Sequence, residues 1–243
     1  MAVIDPDLLL RAYAIGVFPM SDGREAKDVY WVEPRRRAIL PLDGFHLSKS
    51  LRKTIRSDRF TVTRDKAFTQ VIRACAERDE TWINPAIEQS YTTLHALGQA
   101  HSIETWLDGE LVGGLYGVRL GPAFFGESMF SRETDASKVA LAWLVARLIV
   151  GGYRLLDCQF MTEHLKSLGA IEVTQQRYLE MLTAELEAAG AFGSSSLVAA
   201  GRSGALAEPD FGKLDRLLEE SAGASGAGGP PGCVIAQLLT QTS

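Results

Sequence analysis

The 243-residue chain is poor in the side chains from which metal and thiol centres are built, with three cysteines and four histidines. Cys75, Cys158 and Cys233 lie far apart and form no CxxC pair. That argues against a disulfide framework or a thiolate zinc site and fits a reducing cytoplasm. His46, His95, His101 and His164 share no metal-ligand spacing. Neither GxGxxG nor GxxxxGK[ST] occurs, so there is no sign of a dinucleotide or P-loop phosphate cradle. The run Val112–Gly117 is a glycine-rich strand in which glycine permits a bulge or a close backbone approach to a ligand. A GxSxG nucleophile elbow is also missing. No apolar run approaches the ~20 residues of a membrane helix. The opening MAVIDPDLLLRAY lacks a basic segment ahead of a greasy core, so no signal peptide is expected. The expectations are a cytoplasmic protein with no metal, cofactor or membrane contact, and a monomer.

What is present is unevenly placed. The chain carries a net charge of −5, yet residues 35–56 hold Arg35, Arg36, Arg37, Lys49, Arg52, Lys53 and Arg56 against Asp43 alone. A basic island on an acidic protein points to a local polyanion contact, with a solvated basic helix face as the plainer reading. Asp5 and Pro6 open a first helix that Gly16 ends. A strand at 38–42, a Ser48-capped helix to about Arg56 and a strand at 60–63 follow, and then an Asp65-capped helix with Phe68, Val71, Ile72 and Cys75 inward. Pro85 opens another helix. Strands at 101–107, 111–119 and 123–130 come next, the first two joined by an Asp108-Gly109 hairpin turn. Asp135 is expected to cap a helix stopped by Gly151-Gly152, and strand, helix, strand and helix run on to 188. The pattern indicates an α+β or α/β sheet protein. Residues 190–232 hold ten glycines and read as a flexible tract with a short helix near 211–220; CVIAQLLTQ is expected to return as an edge strand.

The chemistry concentrates in two segments. GPAFFGESMFSR places Glu127 alone in an aromatic run, where a carboxylate is costly unless partnered. An ion pair with Arg132 is the structural explanation, recognition of an amine the functional one. In YRLLDCQ, Asp157 and Gln159 stand two apart on a strand and so share a face. A carboxylate and a carboxamide on one face suit the holding of an amine. Trp82, in a loop before Pro85, is placed to stack a flat ligand, and Tyr91 follows it on the next helix.

With these residues in view the chain resembles the leucyl/phenylalanyl-tRNA–protein transferases. RAYAIGVFP (11–19), WVEPRRR (31–37), TWINPAIEQSY (81–91), LVGGLYGV (111–118), FFGESMFSR (124–132), LLDCQ (155–159) and HLKSLGA (164–170) carry the resemblance in order over about residues 8–180. It implies an α+β, acetyltransferase-like (GNAT-type) mixed sheet flanked by helices. The expected division is a small, basic, tRNA-facing domain at 1–62, a catalytic domain at 63–189 and the glycine-rich extension at 190–243. It implies transfer of Leu or Phe, less often Met, from aminoacyl-tRNA to proteins with N-terminal Arg or Lys, marking them for N-degron degradation. The implied roles are Asp157, Gln159 and Glu127 at the amine. Leu115, Phe124, Leu144, Leu148, Leu156 and Met20 would line the aminoacyl pocket. Trp82, Tyr91, Arg37, Lys49, Arg52 and Lys53 would hold the terminal adenosine and tRNA.

The chain departs from the family pattern at Met20, where many members have Trp, and at Gln175, where Arg is expected. Leu144 and Leu148 replace aromatic residues and imply a wider pocket, and the chain starts about thirty residues later than longer members, which implies a truncated first domain. Three other readings are an acetyl-CoA-dependent N-acetyltransferase, a peptidoglycan aminoacyl transferase and a tRNA-binding module. The first lacks its [RQ]xxGx[GA] turn, the second usually has two such domains, and the third leaves the 127–157–159 set unexplained.

Overall fold

The computed structural model describes residues 3–78, 80–190, 208–223 and 231–241. In chain order the elements are α1 (Pro6–Ala14), β1 (Phe18–Met20), β2 (Tyr30–Val32), β3 (Arg36–Ile39), α2 (Lys49–Arg56), β4 (Thr61–Arg64), α3 (Phe68–Ala76) and α4 (Pro85–Ala96). Then come β5 (Ala100–Leu107), β6 (Glu110–Leu120), β7 (Ala123–Ser131), α5 (Ala136–Gly151), β8 (Leu155–Gln159), α6 (Glu163–Ser167), β9 (Ile171–Thr174), α7 (Gln175–Ala188), α8 (Lys213–Gly223) and α9 (Pro231–Gln241).

A seven-stranded sheet in the order β4-β5-β6-β7-β8-β3-β9 forms the middle layer. Every neighbouring pair is antiparallel except β7 and β8, which run parallel. One face buries a cluster built from α2, α5, α8 and α9, and the other a cluster built from α1, α3, α4 and α7. This mixed sheet with helices on both faces is the α+β architecture expected from the sequence. β3 belongs to the first 62 residues yet lies between β8 and β9, so the hydrogen-bonded sheet crosses the expected boundary at 62.

Local signals explain most elements. Asp5 accepts from Leu8 N, Ser48 from Leu51 N and Asn84 from Ile87 N, each opening its helix. α5 is apolar all round, which is stable only under cover on every side. The sheet covers one flank and α2, α8 and α9 the other. The glycines of β6 serve the fold here. A Cβ at Gly113 would lie 2.6 Å from Ala136 Cβ, and one at Gly117 would lie 2.3 Å from Phe125 O, so they admit the start of α5 and the neighbouring strand.

Four expectations are corrected. Asp65 and Asp135 do not cap helices: both have positive φ (57° and 67°), where Asp serves as a turn residue, and their carboxylates turn to His101 and Lys138. The terminal segment is the helix α9, not an edge strand, because Ile235, Ala236 and Leu239 repeat at helical spacing and are buried. The described parts of the extension are packed rather than loose: Phe211, Leu214, Ile235 and Leu239 are all core residues. The rest of the expected flexible tract, 191–207 and 224–230, lies outside the described residues. The β1–β2 hairpin was not expected; its two three-residue strands are too short to show a period.

Candidate active site

The parallel pairing of β7 with β8 registers Ala123 with Leu155, Phe124 with Leu156 and Phe125 with Asp157, and then stops. Beyond it lie Gly126 and Glu127 on one strand and Cys158 and Gln159 on the other. Here β7 also bulges against β6: Tyr116 faces Ser128 and Gly117 faces Gly126, which leaves Glu127 without a partner. A bulge of this kind re-aims one side chain. A cavity of about 360 Å³ opens at this point. Its wall is made of Leu115, Met129, Leu141, Leu144, Leu156 and Leu165, with Glu127, Gln159, Thr162 and His164 as polar members and Trp82 and Arg78 also contributing. An apolar slot with few polar groups is the usual form of a small-ligand site.

Glu127 is almost fully buried and held by three donors. Tyr13 OH donates to Oε1 at 2.6 Å, Gln159 Nε2 to the same oxygen at 2.8 Å and Tyr91 OH to Oε2 at 2.9 Å. The two tyrosine oxygens are themselves 2.5 Å apart. Three short oxygen contacts share only two hydroxyl protons, so a proton on the carboxyl would let all three be hydrogen bonds. Burial pushes the Glu127 pKa up to about 7, and the donated hydrogen bonds only partly oppose it. Near neutrality this acid is therefore present in both forms. The expected alternative, an ion pair with Arg132, does not form; Arg132 pairs with Glu77 at 2.8 Å.

Asp157 is fully buried and points away from the cavity. Its Oδ1 accepts from Arg37 Nε at 2.9 Å and from Gln159 N at 2.8 Å, and its Oδ2 from Tyr178 OH at 2.9 Å. It therefore reaches the cavity through Gln159. Gln159 sits at φ +61°, uncommon for a residue with a side chain, and the bond from its own N–H to Asp157 helps hold it there. Its Nε2 is committed to Glu127, while its Oε1 takes no hydrogen bond among the described residues.

Several sequence expectations are relocated. Arg37 does not face tRNA. It is 1% exposed, bonded to Asp157 and to Gly16 O, and lies between the rings of Phe18 and Tyr178 at 4.7 and 4.6 Å. Tyr91 is wholly buried with its hydroxyl on Glu127, so it supports the acid and offers no face to a base. Leu115, Leu144 and Leu156 line the cavity, but Phe124, Leu148 and Met20 do not. Phe124 stacks parallel on Phe211 with centroids 5.4 Å apart, Leu148 is buried with α5, and Met20 packs in the opposite cluster. Trp82 lies at the cavity, its carbonyl held by Ser21 N and Oγ. Lys49, Arg52 and Lys53 are exposed on α2, whose inward face is Leu51 and Ile55, and none has an ion-pair partner among the described residues. Sequence reading missed Tyr13 and Tyr178. Tyr13 carried only a helical-spacing signal, four residues after Leu9.

The family model described as leucyl/phenylalanyl-tRNA protein transferase matches residues 39–183, and that of its N-terminal domain matches residues 3–35. A leucyl/phenylalanyl-tRNA–protein transferase of Rhizorhabdus wittichii is 61% identical over the full length of both chains. One of Novosphingobium aromaticivorans is 52% identical over 99% of this chain and 97% of its own. Among solved structures, FemX is similar over 73% of this chain and 71% of its own, at 15% identity and a TM-score of 0.46.

Proposed function

Since the chain belongs to the leucyl/phenylalanyl-tRNA–protein transferase family, and so is an aminoacyltransferase moving an aminoacyl group from tRNA to protein, we propose that it transfers Leu or Phe, less often Met, to the α-amine of an N-terminal Arg or Lys. The product is then marked for N-degron degradation in the cytoplasm. The observation that carries this reading is the Gln159–Glu127 pair in the wall of an otherwise leucine-rich cavity.

The aminoacyl ester is already activated, so the reaction needs an amine, a place for the carbonyl and a proton route. The apolar side chain enters between Leu115, Leu141, Leu144, Leu156 and Leu165. The free Oε1 of Gln159 accepts an N–H of the incoming amine and sets its lone pair toward the ester carbon. An N-terminal amine has a pKa near ~7.7–8, so a useful neutral fraction exists at physiological pH. As the C–N bond forms, the nitrogen gives one proton to the Glu127 carboxylate. The C–O bond then breaks, and that proton is returned to the departing ribose oxygen. A carboxyl poised near the working pH is suited to both transfers. Asp157 and Arg37 are positioning residues that hold Gln159. Fixing amine and ester side by side can itself lower the barrier by roughly 7–11 kcal/mol.

Leu and Phe share an unbranched Cβ, which a slot lined by leucines admits, whereas Ile and Val would meet the wall at the mouth. A single methylene discriminates by only ~1–3 kcal/mol, so shape must carry the choice. Trp82 is assigned to the terminal adenine and the exposed cations of α2 to acceptor-stem phosphates.

The test is incubation with Leu-, Phe-, Met- and Val-tRNA and peptides beginning with Arg, Lys, Asp or Ala, read by mass. Transfer restricted to Arg and Lys peptides, with Val-tRNA inert, is expected. Equal labelling of the Asp and Ala peptides would remove the acceptor assignment, and no transfer from Leu- or Phe-tRNA would remove the donor assignment.

A further inference from the structure

Arg78 is a cation that the fold holds in place with no ion-pair partner among the described residues. It lies between α3 and α4, in the segment that also carries Trp82, and contributes to the cavity. Its Nη2 donates to Ser128 Oγ at 2.9 Å and to Met129 O. Both acceptors are uncharged, and both lie on β7 immediately after Glu127. Its Nε and Nη1 donate to no group among the described residues, and no carboxylate there lies within ion-pair distance of it. The neighbouring arginines differ: Arg73 pairs with Glu88, Arg24 with Glu88 and Arg132 with Glu77. Arg78 is also exposed, so its unused donors face solvent beside the cavity.

A guanidinium tied down by neutral carbonyl and hydroxyl oxygens keeps its full charge and a fixed orientation. Its remaining donors form a fork matched to two oxygens of a phosphate. Given an aminoacyl-tRNA donor, as proposed above, the phosphate nearest the ester is the diester joining the terminal adenosine to the preceding nucleotide. Arg78 and Trp82 both contribute to the wall of the cavity that holds the leucine slot, on the one segment between α3 and α4. We propose that Arg78 anchors the last phosphodiester of the donor, a contact separate from the basic face of α2.

Three donors that differ in phosphate content test this: leucyl-tRNA, leucyl-CpA, which carries only the last diester, and 3′-leucyl-adenosine, which carries none. Arg78→Ala is expected to lower kcat/KM at least tenfold for the first two and by less than twofold for leucyl-adenosine. Arg78→Lys, which keeps the charge without the fork, should fall between, and the KM for leucyl-CpA should lose salt dependence in the Ala variant. An equal loss on all three donors would mean that Arg78 only braces β7, and no loss on leucyl-CpA would also overturn the assignment. If the wild-type protein used none of the three, the proposed function would fail and this inference with it. A wild type active on all three with an unaffected variant would sink the inference alone.

Discussion

Arg37 and Asp157 neutralise each other in the protein interior. Arg37 Nε lies 2.9 and 3.0 Å from the two carboxylate oxygens and Nη2 lies 2.5 Å from Oδ2, with the two side chains 1% and 0% exposed. The pair ties β3 to β8 one step from the backbone of Gln159. Its consequence can be measured. Arg37→Met leaves a buried carboxylate without its counter-charge and should cost about 3–5 kcal/mol in urea unfolding. Pairing it with Asp157→Leu should recover most of that loss while transfer stays low, because Gln159 has lost its backbone acceptor. A stable Arg37→Met protein with weakened tRNA binding would return Arg37 to the surface role that the charge pattern suggested.

Glu127 gives stability a pH dependence of definite sign. Its pKa is raised in the folded protein from 4.5 to about 7. A group raised on folding contributes stability that is fully present below the unfolded pKa and fades as pH rises to the folded one. Wild-type stability relative to Glu127→Gln should therefore fall between about pH 4.5 and 7 and level off above, by up to about 3 kcal/mol. Urea midpoints of both proteins at pH 5, 6, 7 and 8 would show it. Parallel curves would mean that the carboxyl is already ionised well below neutrality in the fold.

The outward face of α2 should act on tRNA alone. Reversing Lys49, Arg52 and Lys53 to Glu leaves Leu51 and Ile55 packed, so the melting temperature should barely move. Affinity for tRNA should fall, and the slope of log affinity against log salt should flatten by about 0.7–0.9 for each phosphate that is no longer neutralised. Unchanged binding at low salt would remove α2 from the interface.

α9 holds that helix from behind. Gly232 N donates to Asp58 Oδ1 at 2.8 Å, and a Cβ on Gly232 would lie 1.9 Å from Ile55 O. Gly232→Ala must therefore separate α9 from α2, at a cost of about 1–3 kcal/mol. Faster proteolysis after residue 223 is the expected sign. An unchanged digestion pattern would show that the two helices adjust without parting.

How much of this was legible beforehand depends on the range of the interaction involved. The β5–β6–β7 meander is marked by the Asp108-Gly109 turn between its first two strands, and the structure has its strands within a residue or two of the expected bounds. Capping side chains such as Asp5 and Ser48 are equally local, and α1 and α2 begin where those caps place them. Asp65 and Asp135 misled because Asp suits both a cap and a left-handed turn, and only the backbone angle separates the two. Arg37 misled because it adjoins Arg35 and Arg36 in sequence, while the acid that buries it is 120 residues away. The pairing of Glu127 with Gln159 rests on the same kind of distance. The residue types announced amine chemistry, but Tyr13, Tyr91 and Tyr178 took their places on the acids only when α1, α4 and α7 met β7 and β8. Phe124 reads as a pocket aromatic until Phe211, from beyond the matched core, stacks on it.

The unpaired residue in β7 also sets a counting rule for the strand. Before it, Phe124 looks toward α5 and Phe125 toward α3; after it, Met129 and Phe130 repeat that division only because one position was skipped. Deleting a single amino acid there would let the ladder close without interruption. The strand would look more regular, but it would no longer have a place from which an acid can meet Gln159.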